Sequence, residues 1–279
     1  MSDLAPLDES ALPGARGLVN LGATCYYNSL LQSLMSCTAF TAALGDYADR
    51  PQLAAIRVCT SAHNDISAGP HAWRQFHAAT KMPPGQQCAG EALTRLLESA
   101  DDCPKIKRLF MHRRRITITC NACSATLANP VEEGNIFNME ITKDLRQLMS
   151  RQIDEVEYQC PACGPVRAQY ASRLSMLPEV LAVLSKKYKY AGGHGDKIRA
   201  ETDFPATLDF ERAGGGVLHY EAVAQIEHSG GLGGGHYWAI CRRIDGWYLL
   251  NDSSVSPAAY APTANTYMVF YHIGGMLPP

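Results

Sequence analysis

At 279 residues, 46% of them apolar, the chain can bury a sizeable core and fits one large domain or two modest ones. A formal net charge of -2 exerts no bulk pull toward nucleic acid or an anionic membrane surface. No apolar run approaches the roughly 20 residues that cross a bilayer, and the acidic start lacks the basic and apolar segments of a secretory signal, so a location inside the cell, in cytoplasm or nucleus, is expected.

In chain order, residues 1–13 read as a flexible leader ending at Pro13-Gly14. Helical signals then dominate to about residue 105. After Cys25, Tyr27, Leu31, Leu34 and Met35 recur at helical spacing. The loop Pro83-Pro84-Gly85 precedes a second helix near Glu91 to Ser99, with Ala92, Leu93, Leu96 and Leu97 on one face. From Arg115 the period changes to two, as Ile116, Ile118 and Cys120 alternate with Thr117 and Thr119. Arg113-Arg114-Arg115 reads as a solvated strand edge. Val180 to Leu184, Val217 to Glu227, Tyr237 to Arg243, Trp247 to Leu250 and Tyr267 to Tyr271 all read as strands, with Asp245-Gly246 a hairpin turn. Helices first and antiparallel strands later make an α+β domain.

Ten cysteines fit an intracellular chain better as thiols, metal ligands and a nucleophile than as disulfides. Cys25 follows Gly22-Ala23-Thr24 and opens a helix. There unpaired backbone N–H groups and the helix dipole are expected to lower a thiol's pKa and favour the attacking thiolate; a structural cysteine at a helix start is the plainer alternative. His236 sits between the glycine run 230–235 and the strand that begins at Tyr237, a setting in which a loop can swing and a strand can hold the imidazole. Cys120-x-x-Cys123 and Cys160-x-x-Cys163 are two ligand pairs separated by residues 124–159. Four thiolates on paired knuckles are a tetrahedral zinc set with no open position for a catalytic water. A zinc module that binds nucleic acid would want more basic and aromatic residues nearby.

The run 17–34, Gly-Leu-Val-Asn-Leu-Gly-Ala-Thr-Cys-Tyr-Tyr-Asn-Ser-Leu-Leu-Gln-Ser-Leu, resembles the cysteine box of the ubiquitin-specific proteases. Gly235-His236-Tyr237 with Trp247 to Ser253 resembles that family's histidine box. Gln86 to Glu98 resembles its glutamine box, and Leu177 to Tyr188 its core strand. Cys88 stands where the glutamine box usually carries Asp.

The resemblance spans roughly Gly14 to the C-terminus and implies a papain-like cysteine protease of fingers–palm–thumb architecture. It places the thumb at about 14–105, the fingers at about 106–175 and the palm at about 176–279, all within one catalytic domain, 14–279. It implies Cys25 as nucleophile, His236 as base, Asn20 as oxyanion donor, and Asn251 or the adjacent Asp252 as the group that orients the imidazole. Gln86, Glu91, Gly234, Gly235 and Tyr237 would line the path of the substrate tail, with Glu91 holding a tail arginine. His228 would be a loop or substrate-contact residue, and His219 structural. One structural zinc per chain is expected, in the fingers. The implied substrate is ubiquitin, as polyubiquitin or on ubiquitinated proteins, handled by a monomer with no nucleic-acid or membrane partner. A virus-encoded or otherwise stripped-down member would be this compact, and would act in a host cell if virus-encoded. A protease for another ubiquitin-like modifier and a ubiquitin-binding pseudoenzyme are the rival readings.

Overall fold

A computed structural model describes residues 6–61, 68–139, 145, 152–191, 194–198, 200, 202–211, 216–231 and 234–277. The helical half carries α1 (Cys25–Met35), α2 (Thr38–Ala43), α3 (Pro51–Ser61), α4 (Ala68–Thr80), α5 (Ala89–Ser99) and α6 (Pro104–Phe110). Pro104 sits at the start of α6, where its missing N–H costs nothing. This last helix runs past residue 105, so helix gives way to strand only at His112.

The fingers are a five-stranded sheet in which β1 (His112–Cys120) pairs on one side with β2 (Thr126–Ala128) and β3 (Val131–Gly134), and on the other with β6 (Gly164–Met176). β5 (Gln152–Cys160) completes it on the far side of β6. Arg113 to Arg115 therefore lie on an interior strand and not on an edge. Arg113 pairs with Glu133 at 2.7 Å, and Arg114 donates to Ser172 Oγ at 3.2 Å and lies over the Phe137 ring.

The palm is an eight-stranded sheet. Its order is β14 (Ser254–Ala258), β13 (Gly246–Asn251), β12 (Gly234–Arg243), β11 (Val217–Gly231), β15 (Thr266–Leu277), β7 (Val180–Ser185) and β4 (Phe137–Met139), with β10 (Thr207–Glu211) also on β11. A separate hairpin joins β8 (Tyr188–Ala191) to β9 (His194–Lys197). Both faces of the palm are covered. Val180 and Ala182 of β7 and Met268 and Phe270 of β15 pack toward the helices, while Leu181, Val183, Val269 and Tyr271 enter a second cluster on the opposite face. Two-sided burial explains why Val180 to Leu184 reads as an unbroken apolar run.

Every residue of α1 is buried. Such a helix must be enclosed by protein on all sides, and here the palm supplies one side. Arg243 at the end of β12, itself buried, donates to Gln32 Oε1 at 2.6 Å, Gln32 O at 3.1 Å and Ser36 Oγ at 2.5 Å. Burial holds this guanidinium's pKa below its usual value, yet its hydrogen bonds tie the helix of Cys25 to the strand of His236.

The expected leader is partly anchored. Leu7 N–H donates to Ile273 O at 2.9 Å and Leu12 is buried, because the segment closes the open side of the core; residues 1–5 lie outside the described residues. Among the described residues, no helix is long and apolar enough to cross a membrane.

Arg243→Met should lower unfolding free energy by about 2–4 kcal/mol, since it strips donors from several buried acceptors at once. Urea titration followed by fluorescence measures this; a change within about 0.5 kcal/mol would show that the cross-tie is dispensable.

Candidate active site and cysteine cluster

Cys25 begins α1 and is 3% exposed. The turn before it needs left-handed backbone at Gly22 (φ 83°) and at Ala23 (φ 55°), a cost of order 1 kcal/mol for a residue with a Cβ. Asn20 holds that turn: its Oδ1 accepts from Gly22 N at 3.0 Å and Thr24 N at 3.2 Å.

Burial pushes the Cys25 thiol above its ordinary pKa, and the Asp252 carboxylate adds to the rise. The N–H groups of Tyr237, Tyr26 and Cys25 itself act the other way. The helix N-terminus therefore does not win here as the sequence suggests: desolvation outweighs the aligned amides. The Tyr237 amide also places the sulfur beside β12, one residue beyond His236.

His236 Nε2 lies 2.6 Å from Asn251 Oδ1 and 3.9 Å from Asp252 Oδ2. A carbonyl oxygen only accepts, so Nε2 carries the proton and Nδ1 is left with a lone pair. Asn251 closes β13, which the Asp245-Gly246 turn folds back against β12.

Asp252 follows in a two-residue turn into β14, at φ 50°. Its Oδ2 accepts from Asn20 Nδ2 and its Oδ1 from Asn28 Nδ2, each at 2.8 Å, and its carbonyl accepts from Leu18 N at 2.8 Å. Sequence reading passed over Asn28. An amide one residue short of a full turn after Cys25, on the same helix, was the available signal. Gly17 is required here because a Cβ would come within 2.5 Å of Ser253 O.

The other expected residues fall around this centre. Gln86 exchanges two hydrogen bonds with the Gly235 backbone. Glu91 is engaged by Arg95 at 2.7 Å, one helical turn along α5. Cys88 shares a 2.6 Å hydrogen bond with the Tyr267 hydroxyl and caps α5 by accepting from Glu91 N. Tyr237 is buried and packs against His228 and Tyr267.

His228 is not a loop residue. It lies on β11, 3% exposed, with its pKa pushed down to about 4 by burial and then by Lys197 and His236. The glycine run is likewise no free flap: Gly230 pairs with Gly235 and Gly231 with Gly234 in the β11–β12 ladder, leaving only Leu232 and Gly233 outside the described residues. His219 bonds Asp209 at 2.6 Å on the β10–β11 pair, away from Cys25.

At the fingertip, the four sulfurs of Cys120, Cys123, Cys160 and Cys163 lie within 4.8 Å of one another, with Cys123 and Cys160 at 3.8 Å. A tetrahedral ion with ~2.3 Å metal–sulfur bonds sets its ligands about 3.8 Å apart, so the cluster can hold a metal ion. The knuckles come from the ends of β1 and β5, where Ser124 (φ 59°) and Gly164 (φ 75°) turn the chain. The N–H groups of Cys123 and Ala122 bring the Cys120 thiol down to about 7.

The family described as ubiquitin carboxyl-terminal hydrolase matches residues 16–271. Ubiquitin carboxyl-terminal hydrolase 21 of Homo sapiens is 26% identical over 64% of this chain and 35% of its own length. Ubiquitin carboxyl-terminal hydrolase 2 of Bos taurus is 26% identical over 98% of this chain and 57% of its own. The chain thus spans about a third to somewhat over half of these relatives. Among solved structures, the SAGA DUB module of Ubp8, Sgf11, Sus1 and Sgf73 bound to monoubiquitin superposes with a TM-score of 0.82 at 19% identity, over 98% of this chain and 72% of that one. The same module bound to ubiquitin aldehyde gives 0.80 at 19% identity, over 96% and 71%. These likenesses show the fold.

Neutral His236 should be the Nε2–H tautomer. Long-range 15N–1H correlation of the ring should show Nδ1 as the unprotonated nitrogen, and Asn251→Ala should mix the two tautomers. A wild-type spectrum with the proton on Nδ1 would overturn this reading of the pair.

Proposed function

The chain belongs to the ubiquitin carboxyl-terminal hydrolase family, and we propose that it is a thiol-dependent deubiquitinase that hydrolyses the bond after the C-terminal glycine of ubiquitin. The observation that carries this reading is a helix-initial thiol that meets the Tyr237 N–H, one residue after a His236 whose Nε2 is engaged by Asn251.

The resting thiol is neutral, because burial raises it, so a base must act. His236 takes the Cys25 proton on its free Nδ1, and the sulfur attacks the carbonyl carbon of the terminal glycine. The carbonyl electrons move onto oxygen. The second Nδ2 hydrogen of Asn20, whose Oδ1 is held by Gly22 and Thr24 and whose first Nδ2 hydrogen is held by Asp252, and backbone N–H groups stabilise that charge. Collapse expels the lysine amine, which leaves with the proton held by His236. His236 then deprotonates water, which attacks the thioester and releases the carboxylate and Cys25. Asp252, 3.9 Å from the imidazole, ties the turn that carries it to Asn20 and Asn28. Ubiquitin conjugates place such an enzyme in the cytoplasm or nucleus.

A second reading, hydrolysis of another ubiquitin-like modifier, is favoured by one observation: Cys88, standing where the family usually has a carboxylate, is bonded to the Tyr267 hydroxyl, and Glu91 is paired with Arg95, so neither position offers a free carboxylate to a tail arginine. The test for both readings is a panel of ubiquitin and ubiquitin-like proteins with electrophilic C-termini. The ubiquitin probe should form a covalent adduct that Cys25→Ala abolishes. An adduct with another modifier in preference to ubiquitin would establish the second reading, and no adduct with any would sink both.

We further propose that the four-cysteine cluster binds one structural zinc ion. The four protein thiolates leave no position for substrate, so the ion would tie the tip of β1 to the tip of β5 and take no part in the chemistry. Elemental analysis should find about one zinc per chain. Cys160→Ser should lower the thermal midpoint by roughly 5–10 °C, at ~2–4 °C per kcal/mol for a chain of this class, while changing kcat less than twofold. Zinc-free protein of unchanged midpoint would remove the metal from the account.

A further inference from the structure

The edge of β12 changes occupant along its length. From Ala239 to Arg243 it is paired with β13, Ala239 facing Leu250. β13 ends at Asn251 and turns away, so among the described residues its ladder with β12 stops at Ala239, short of Tyr237 and Gly235. Two groups take those positions. The Tyr237 N–H donates to the Cys25 sulfur. Two residues earlier on the same edge, the Gly235 N–H donates to Gln86 Oε1 at 3.0 Å while Gln86 Nε2 donates to Gly235 O at 2.5 Å.

One carboxamide thus meets both the donor and the acceptor of a single residue, the two main-chain groups that an added strand would take up. The two positions are about 7 Å apart at strand rise, the span of a dipeptide. A carbonyl carbon seated at Cys25 would therefore have the main chain that precedes it at the Gly235 edge. No side chain blocks that approach from within the strand, since both Gly234 and Gly235 lack one. Gly235 has to, because a Cβ there would fall within 2.4 Å of His228 Nε2.

We propose that Gln86 is a displaceable stand-in for the substrate's main chain: its carboxamide closes the tail site in the free protein, and the extended tail takes over the Gly235 N–H and C=O as an added strand. The proposal rests on the reading of the chain as a hydrolase of a glycine-terminated tail, and it gives that site a closed resting state. Gln86 lies just before α5 on the helical side, and Gly235 is on the palm, so the contact bridges the two walls that must admit the tail. The tail's own hydrogen bonds replace those it displaces, and the cost of closure is the fraction of molecules found closed. Gln86 here is a positioning residue that acts against entry, opposite in sign to a residue that grips the tail.

Steady-state cleavage of a ubiquitin C-terminal amide by the full chain separates the two signs. Gln86→Ala, and Gln86→Met as a variant of matched length that cannot pair, should each lower KM by roughly three- to thirtyfold, the range two solvent-facing hydrogen bonds cover, with kcat/KM rising by the same factor. Gln87→Ala, whose side chain reaches only Pro84 O, should leave both constants unchanged. A KM that is unchanged or raised in both Gln86 variants overturns the stand-in and makes Gln86 inert or a direct tail contact. Calorimetric binding of ubiquitin to Cys25→Ala protein keeps this apart from the parent reading: binding with unaltered KM in the Gln86 variants sinks only the stand-in, whereas no ubiquitin binding and no turnover sinks the deubiquitinase assignment itself.

Discussion

The seating of one wholly buried helix governs the rest of this protein. α1 carries Cys25 at its first residue and offers no face to water, so its position is set by what encloses it. The palm strand that carries His236 is one wall, and Arg243 at the far end of that strand is bonded into the helix through Gln32 and Ser36. Thiol and imidazole are thus held at one end of a contact whose other end is a multidentate buried guanidinium. A cation without a carboxylate partner is expensive to bury. It is tolerated here because carbonyl and hydroxyl oxygens surround it, which gives the contact direction that apolar packing alone would not.

Asp252 plays the matching role at the start of the helix. It sits in a left-handed turn and is reached by Asn20 before the helix, by Asn28 within it and by His236 from the sheet. Burial raises the Cys25 thiol, and the same carboxylate adds to the rise, since a negative charge nearby resists a second one on sulfur.

The fingers are built on a different principle. Thumb and palm share an apolar cluster, and the palm's other face has a second, but the finger sheet exposes Val131 and Ile153 and relies on cross-strand pairs such as Arg113 with Glu133. Pairs of that kind contribute little in water. The four cysteines clustered at the tip can hold a metal ion, a link of a kind that neither burial nor charge provides at that distance from the core.

Much of the chemistry was legible in order along the chain. Cys25 ahead of a helical apolar pattern, His236 ahead of a strand, Asn251-Asp252 after a hairpin turn and two Cys-x-x-Cys pairs are local signals, because helix starts, turns and metal knuckles are fixed by neighbouring residues. The strands of the palm were legible for the same reason, their apolar period being a property of each segment alone. What the sequence could not decide is every quantity that depends on segments far apart. Its helix-start argument pointed the Cys25 pKa downward, and only the packed environment reversed the sign, since desolvation is set by what lies on top of a residue and not by what precedes it. Position alone could not rank Asn251 and Asp252 against the imidazole, because adjacent residues of a strand and its turn project differently. The glycine run read as a mobile cover and is instead largely a paired hairpin, since composition reports what a backbone can do and the partner strand determines what it does. The Gln86–Gly235 and Arg243–Gln32 contacts join residues with no local signal at either end. Those long-range pairings, chosen by the fold's closure and by nothing local, are what turn a set of recognisable residues into one site.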